Sequence, residues 1–210
     1  MVELLYKKRV QIVIVSIAFV SFLLIALDVL FDGLLTQFDQ VLNRLSASWH
    51  TPLYDSIFLS ITKFGNLSSM LILSILVTLI LLWQKDRSSI LYYWAGMLGS
   101  GVLFSGIKEI FARGRPSNYI GELFQHGYSF PSGHATMSMS FALLILYIFY
   151  PKVSSLYRSL LLLFVLISPV GIGFSRIYLG VHYFSDVSAG LVLGIFWIGT
   201  MLISFKRVRD

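Results

Sequence analysis

The 210-residue sequence contains no cysteine and few charged side chains. The absence of cysteine excludes disulfide bonds, thiolate metal ligands and cysteine nucleophiles. Charged residues make up 12% of the chain and hydrophobic residues 57%, and the mean hydropathy is +0.81. Soluble globular domains carry about 25% charged residues. The composition therefore predicts an integral membrane protein.

The sequence also has no linker rich in Gly, Ser or Pro, no low-complexity segment and no internal repeat. Boundaries between domains usually have such compositions, so residues 1–210 are predicted to form a single membrane-embedded domain. The formal net charge is +6, but the basic residues lie at the ends of apolar segments. Nucleic acid binding is not expected, because it needs basic residues gathered on one face.

Six apolar segments recur along the chain, at residues 10–31, 57–83, 90–111, 135–150, 159–174 and 187–205. A helix of about 20 apolar residues crosses the hydrocarbon core of a bilayer. The segments predict an all-α protein with six transmembrane helices. The fourth and fifth are short, so their helices are expected to continue into the neighbouring polar sequence. The first follows a basic cluster, as in a signal peptide, but its length predicts a retained span.

The basic residues predict the orientation of these helices, because cytoplasmic segments of membrane proteins carry an excess of Lys and Arg. If both termini are cytoplasmic, the inner segments contain Lys7, Lys8, Arg9, Lys85, Arg87, Lys152, Arg158, Lys206, Arg207 and Arg209. We therefore predict cytoplasmic N and C termini. Most of the remaining basic residues then lie outside, in two segments with a distinctive chemical pattern.

Three outer segments face the same side in this topology: residues 108–116, 131–134 and 175–186. They place Lys108, Arg115 and Arg176 beside apolar helices, where a charge costs about 2.5–3.5 kcal/mol. Few acidic residues lie nearby, and a phosphate would neutralise three cations better than Glu109 and Glu122 can. A phosphate carries about −1.5 to −2 charge, and its oxygens fit the Arg fork. The segments therefore predict a phosphate site, although each cation alone would suggest interfacial snorkelling.

The second of these segments is Pro131-Ser132-Gly133-His134, directly before the fourth apolar segment. Ser132 is a predicted helix N-cap, and Gly133 lets backbone N–H groups approach a ligand. Helix N-termini bind phosphate well. His134 would then be placed to protonate a leaving group and later to activate water.

His182 and Asp186 are four residues apart, so on the first turns of a helix the carboxylate reaches the imidazole. Such a carboxylate fixes the tautomer and stabilises the imidazolium form, which makes His182 a candidate nucleophile. The same spacing alone also fits a structural pair or half of a metal site. Arg113 has three interpretations: contact with phosphate, an ion pair with Glu109, or contact with lipid headgroups.

Together these segments resemble the signature of the type 2 phosphatidic acid phosphatase superfamily, which also includes vanadium haloperoxidases and bacterial undecaprenyl diphosphate phosphatases. The matching residues are Lys108, then Arg115-Pro116 after six residues, the complete PSGH quartet, and Ser175-Arg176 followed by His182 and Asp186. PSGH alone is a weak signal, but three segments in order on one side are specific. The resemblance extends from residue 108 to about residue 190 and points to the bacterial membrane lipid phosphatases.

The resemblance implies a role for each matching residue. His182 would attack phosphorus, Asp186 would orient it, and His134 would be the general acid and base. The residues implied to hold the phosphoryl oxygens are Lys108, Arg115, Arg176, Ser132 and Gly133, assisted by Ser175. The family needs no metal and no other cofactor, and the sequence has no carboxylate cluster suited to a hard cation.

By the same resemblance, the expected substrate is a lipid phosphate or diphosphate in the bacterial cytoplasmic membrane. Undecaprenyl diphosphate, phosphatidylglycerophosphate and phosphatidate all fit, and the active site is expected to face the outside. The alternative from another class is a transporter or lipid scramblase that binds an anion through the same cations without chemistry. A catalytically inactive binding protein and a vanadate-dependent haloperoxidase fit the sequence less well.

Overall fold

The structure is a computed structural model that describes residues 8–117 and 127–204. The described residues form eight α-helices: α1 Lys8–Leu30, α2 Leu34–Ser46, α3 Pro52–Lys63, α4 Leu67–Trp83, α5 Arg87–Phe111, α6 Gly133–Phe149, α7 Ser155–Tyr178 and α8 Phe184–Ser204. Short 3₁₀ helices follow α2 and α6. The terminal basic residues Lys7, Lys206, Arg207 and Arg209 lie outside the described residues, as does Glu122. The all-α prediction is confirmed.

Five of the described helices are long and apolar enough to cross a membrane: α1, α5, α6 with its 3₁₀ extension, α7 and α8. The second predicted span, residues 57–83, is not one helix. It consists of α3 and α4, which meet at a 47° bend and together make a sixth span if they count as one. At the bend, Gly65 N–H donates to the Thr62 carbonyl oxygen, and Asn66 becomes the N-cap of α4.

The two short predicted spans do continue as helix. The segment predicted over residues 135–150 lies within α6 and its 3₁₀ extension, which ends at Lys152. The segment predicted over residues 159–174 is extended at both ends in α7, which contains Pro169. At the end of the bundle away from the signature segments, Lys152 forms an ion pair with Asp86 at 2.8 Å. This contact joins the two connections that were predicted to be cytoplasmic.

Helix α6 is the centre of the bundle and packs against α5, α7 and α8. Its contact with α8 depends on glycine residues of α8. A Cβ atom on Gly190 would lie 2.6 Å from the Ser132 carbonyl oxygen, and one on Gly194 would lie 3.0 Å from that of Thr136. The two backbones are therefore close where the PSGH segment enters α6, which brings this segment beside the residues that begin α8.

Helix α2 was not predicted, because it lies between the first two apolar segments. Its large apolar side chains are exposed and follow helical spacing: Leu34, Phe38, Val41 and Leu45. Its buried positions are polar, namely Thr36, Asp39 and Ser46. Amphipathic helices of this type lie in the membrane interface with the apolar face towards lipid. In this chain the polar face is turned towards the signature segments.

Candidate active site

A tight turn between α7 and α8 brings Arg176 and His182 together. Gly180 adopts a left-handed conformation with φ of 68°, which favours glycine, and its N–H donates to the Ile177 carbonyl oxygen. The Arg176 carbonyl oxygen then accepts from the backbone N–H groups of Val181 at 3.1 Å and His182 at 3.3 Å. His182 precedes α8 rather than lying on its first turn. The turn holds it beside the last turn of α7.

The His182 ring lies between a carboxylate and a guanidinium. Its Nδ1 is 3.3 Å from Oδ2 of Asp186, and its Nε2 is 3.1 Å from Nη1 of Arg115. Arginine can only donate, so Nε2 must accept. The proton is therefore on Nδ1, which donates to Asp186, and the Nε2 lone pair is directed towards the cations. Asp186 also accepts from the Tyr183 N–H at 2.9 Å, as in half of a capping box at the start of α8.

The environment of His182 favours the neutral imidazole. The side chain is buried, and this burial lowers its pKa well below the ordinary value for histidine. The neighbouring charges of Arg176, Arg115 and Lys108 lower the pKa further. A neutral ring keeps the Nε2 lone pair, which a nucleophile requires.

Backbone carbonyl groups hold two of the predicted phosphate ligands in place. Lys108 Nζ donates to the Tyr128 carbonyl oxygen at 2.5 Å, and Arg115 donates to those of Gly127, Tyr128 and Val181 at 2.9–3.1 Å. Burial lowers the Arg115 pKa. Among the described residues, neither side chain forms an ion pair with a carboxylate. Both charges are fixed in position but not neutralised.

Arg176 has the most unusual environment of the three cations. Its side chain is only 1% exposed, and Nη1 donates to Thr62 Oγ1 at 2.7 Å. Its Nε and Nη2 groups are buried and have no hydrogen-bond partner among the described residues. Buried donors are normally satisfied, so these two N–H groups mark a position where an anion would be stabilised.

The PSGH segment enters the same site from α6. Ser132 is the N-cap residue, as predicted, but its hydroxyl makes no capping bond and is buried without a partner in the described structure. Its backbone N–H donates to the Asp186 carbonyl oxygen at 2.9 Å, which joins the segment to α8. Gly133 is the first residue of α6, and the next residue, His134, has Nε2 2.9 Å from Oδ1 of Asn66. The bend between α3 and α4 therefore holds the second histidine.

Ser175 is fully buried in α7, and its hydroxyl donates to the Ile172 carbonyl oxygen of the same helix at 2.6 Å. His126 lies outside the described residues. His50 is paired with Asp55 at 3.1 Å, and its ring packs edge-on against that of Tyr178.

Arg113 does not pair with Glu109, one of the three interpretations of its role. Its Nη1 donates to Asp186 Oδ1 at 2.7 Å, and its Nη2 donates to Asp39 Oδ2 at 2.9 Å. Burial opposes the charge, but the carboxylates of Asp186 and Asp39 more than offset it and raise the Arg113 pKa.

Three residues that contact the site were not predicted from the sequence: Asp39, Thr62 and Asn66. Each is a lone polar residue outside any motif.

A cavity of about 520 Å³ extends from the polar site along an apolar cleft between α4, α5 and α6. Lys108, Arg115, Gly133, His134 and His182 line one end of it. The remainder is lined mainly by apolar side chains of α4, α5 and α6, including Met70, Leu71, Met97, Leu98, Val102 and Met137. One cavity therefore offers cations and two histidines next to a hydrophobic volume.

The profile of the PAP2 superfamily matches residues 89–210, more than half of the chain and all three signature segments. The chain belongs to the PAP2 superfamily. The family resemblance predicted from the sequence is thus confirmed.

Two relatives illustrate the range of similarity. Phosphatidylglycerophosphatase B of Bacillus subtilis is 24% identical over 165 residues, which cover 75% of this chain and 78% of the relative. A dihydrosphingosine 1-phosphate phosphatase of Schizosaccharomyces pombe is 32% identical over 125 residues, which cover 50% of this chain but only 30% of the relative.

Two solved structures share the PAP2 fold. The transmembrane PAP2-type phosphatidylglycerolphosphate phosphatase of Bacillus subtilis superposes with a TM-score of 0.83 at 23% identity, covering 93% of this chain and 98% of that one. LpxE of Aquifex aeolicus gives a TM-score of 0.59 at 25% identity, covering 79% and 94%. Together with the apolar helices, these similarities identify a multi-pass membrane protein with a PAP2 helical bundle.

Proposed function

We propose that the protein is a membrane lipid phosphatase that removes the terminal phosphate of a lipid phosphate or diphosphate through a phosphohistidine at His182. The observation that carries this proposal is the state of His182. Its Nδ1 proton is held by Asp186, and its Nε2 lone pair meets a cluster of cations without carboxylate partners among the described residues. This arrangement suits an imidazole that attacks an anionic phosphorus centre.

In the first step, Nε2 of His182 attacks phosphorus, and the bond from phosphorus to the lipid oxygen breaks. His134 acts as the imidazolium: its Nε2–H turns from Asn66 to the leaving oxygen, donates its proton there and leaves a neutral imidazole. Asp186 stabilises the positive charge that develops on the attacking ring. Lys108, Arg115, Arg176 and the N-terminus of α6 at Ser132 and Gly133 hold the phosphoryl oxygens, with Ser175 in support.

In the second step, water attacks phosphorus and the bond to Nε2 breaks. His134, which gave up its proton in the first step, accepts one from the water. Inorganic phosphate leaves, and both histidines return to their starting states. The protein groups alone balance protons and charge, so no metal or other cofactor is needed in this proposal.

The apolar part of the cavity supports a lipid substrate. Its side chains from α4 and α5 offer no charge to a ligand beyond the end where the phosphate would lie. A hydrocarbon chain that enters from the bilayer could lie there against apolar side chains without exposing apolar surface to water. A free sugar phosphate would leave this volume without a matching group.

The relatives act on lipid phosphates, as their names state, and this favours the same substrate class. We propose a broad specificity that includes undecaprenyl diphosphate, phosphatidylglycerophosphate and phosphatidate. The proposed location is the bacterial cytoplasmic membrane, with the active site on the extracytoplasmic side and both termini in the cytoplasm.

The direct test is phosphate release by purified protein in detergent, from each of the three lipids, with and without EDTA. We expect release from at least one lipid at a rate that EDTA leaves unchanged. Loss of turnover in EDTA would contradict the metal-free mechanism. Absence of release from every lipid, together with anion-dependent lipid movement in vesicles, would instead favour a transporter or scramblase.

We expect a moderate loss of activity when Gly65 is replaced by alanine. The new Cβ would lie 2.6 Å from Cδ2 of His134 and 2.7 Å from Cγ2 of Ile172, so the imidazole must move away from Asn66. A misplacement of about 1 Å costs about 10²-fold in rate, and a shift of a fraction of that is expected to lower kcat about 10-fold. Gly171→Ala is the control, because a Cβ at Gly171 meets nothing within 4 Å. Equal kcat values for both variants would show that the position of His134 is not critical.

A further inference from the structure

Helix α2 contributes a buried carboxylate to the site although it carries no signature residue. The Asp39 side chain is fully buried, and its Oδ1 accepts from the backbone N–H of Ser185 at 2.9 Å. Its Oδ2 also accepts from the Ser185 hydroxyl. Ser185 lies in the first turn of α8, where free N–H groups favour a carboxylate. Asp39 therefore fixes the start of the helix that carries Asp186.

Arg113 connects this carboxylate to the proposed catalytic one. Its Nη2 reaches Asp39 at 2.9 Å, and its Nη1 reaches both the Ser185 hydroxyl at 2.6 Å and Asp186 Oδ1 at 2.7 Å. The guanidinium also lies over the Tyr183 ring, 4.3 Å from its centroid. Each contact fixes the plane of the fork. The Asp186 carboxylate is thereby held by one oxygen, while the other oxygen faces His182.

Neither residue is placed to touch substrate. The Asp39 carboxylate is fully buried, and its two oxygens accept hydrogen bonds from Ser185 and Arg113. In the described part of the chain, the hydrogen bonds and the ring contact of the Arg113 guanidinium are to Asp39, Tyr183, Ser185 and Asp186. The Arg113 charge pairs with two buried carboxylates and is not directed towards a substrate phosphate.

We propose that Asp39 and Arg113 are positioning residues, which orient Asp186 and through it the nucleophilic His182. The proposal rests on the lipid phosphatase function proposed above. It assigns α2 a role in catalysis: the exposed apolar face rests on the membrane interface, and the polar face supplies the carboxylate that anchors Arg113. Removing Arg113 would leave two carboxylates buried close together without a cation, so Asp186 would turn away from His182 or bind a proton.

The test compares Arg113→Lys, Asp39→Asn and the double variant with the wild type, using the lipid that the wild type hydrolyses best. Lysine keeps the charge but cannot bridge two carboxylates with a fixed fork. We expect each single variant to lower kcat about 10- to 100-fold, as is typical when a group that orients a catalytic residue is lost. KM and the inhibition constant for vanadate should change less than about twofold, because the anion ligands are untouched.

The double variant separates positioning from a general loss of structure. If both residues act only through Asp186, their effects on kcat are not additive, and the double variant should be about as slow as Arg113→Lys. Additive losses, or a rise in KM that matches the fall in kcat, would overturn the proposal. Gln40→Ala is the matched control, because Gln40 is the exposed neighbour of Asp39 on α2 and should keep wild-type kcat.

Failure of this inference can be told apart from failure of the proposed function. If the wild type releases no phosphate, or if His182→Ala is as active as the wild type, the proposed function itself is wrong. If the wild type is active and His182→Ala is inactive, while Arg113→Lys and Asp39→Asn keep kcat within about twofold, only the positioning role is wrong. If Arg113→Lys fails to fold, Asp39→Asn alone still tests the positioning role. A lower kcat at unchanged KM would support that role, and an unchanged kcat would contradict it.

Discussion

We expect the substitution His182→Ala to lower the turnover of lipid phosphate by at least about 10³-fold, because it removes the atom that forms the bond to phosphorus. Water cannot substitute for this atom efficiently. The cations would still bind the substrate, but the Asp186 carboxylate would have no imidazole to orient. Alanine removes the buried ring, but backbone carbonyl groups still hold Lys108 and Arg115 in place. Binding of the anion should therefore survive better than turnover.

A covalent intermediate makes this prediction specific. With a substrate labelled at its terminal phosphorus, wild-type protein quenched during turnover should carry label that is retained in alkali and lost in acid, as expected for a phosphorus–nitrogen bond. His182→Ala should carry none. His134→Ala should still become labelled, slowly, and should then lose the label slowly, because both steps lack their proton donor or acceptor.

His50→Ala provides the matched control for histidine replacement. His50 is also paired with an aspartate, with Nδ1 3.1 Å from Oδ1 of Asp55, but it does not line the cavity. Its turnover should stay within about threefold of the wild type. Label that persists in His182→Ala, or equal losses in the two alanine variants, would rule out His182 as the nucleophile.

The sequence predicted the signature part of this site because the chemistry depends on local spacing. A single turn of four residues connects His182 to Asp186, and one helix entry places Ser132, Gly133 and His134. Such patterns are visible in a linear sequence. The long apolar segments were equally visible, since hydropathy alone marks α5 to α8 as helices that are apolar enough to cross a membrane.

The supporting contacts were not predictable in the same way. Asn66 and Thr62 lie within what reads as one apolar segment, and the bend between α3 and α4 depends on Gly65 packing against His134 and Ile172. Asp39 looks like an ordinary loop acid until α2 is recognised from its exposed residues at helical spacing. Each of these side chains gains its role from a partner more than 60 residues away, so only the tertiary structure reveals it.

The second large effect is expected for Arg176→Met, which should lower kcat/KM by about 10²–10³-fold. Loss of one charge-stabilising donor at a reacting centre typically has this effect. The methionine variant would lack Nε and Nη2 of Arg176, the two buried donors that have no partner among the described residues. Arg176→Lys should recover little, because a point charge on a flexible chain cannot replace the planar fork that matches two phosphoryl oxygens.

The thermal stability of Arg176→Met should not fall with its activity. A buried guanidinium with two unsatisfied donors destabilises the protein, whereas methionine fills a similar volume without a charge. Without ligand, Arg176→Met should therefore melt at a temperature equal to or above that of the wild type. Vanadate resembles the phosphoryl transition state, so it should raise the melting temperature of the wild type and leave that of the variant nearly unchanged.

Arg158→Met is the control for this pair of measurements. Arg158 belongs to the same helix α7 but lies at its other end, where Nε donates to the Tyr150 carbonyl oxygen at 3.1 Å. Its activity and its response to vanadate should match those of the wild type. If Arg176→Met instead lost both activity and thermal stability, with vanadate still stabilising it, Arg176 would be a structural residue and the phosphate would be held by Lys108 and Arg115. Lower activity at equal or higher stability is the combination that only an anion-binding role explains, because a site prepared for a charged group is strained until that group arrives.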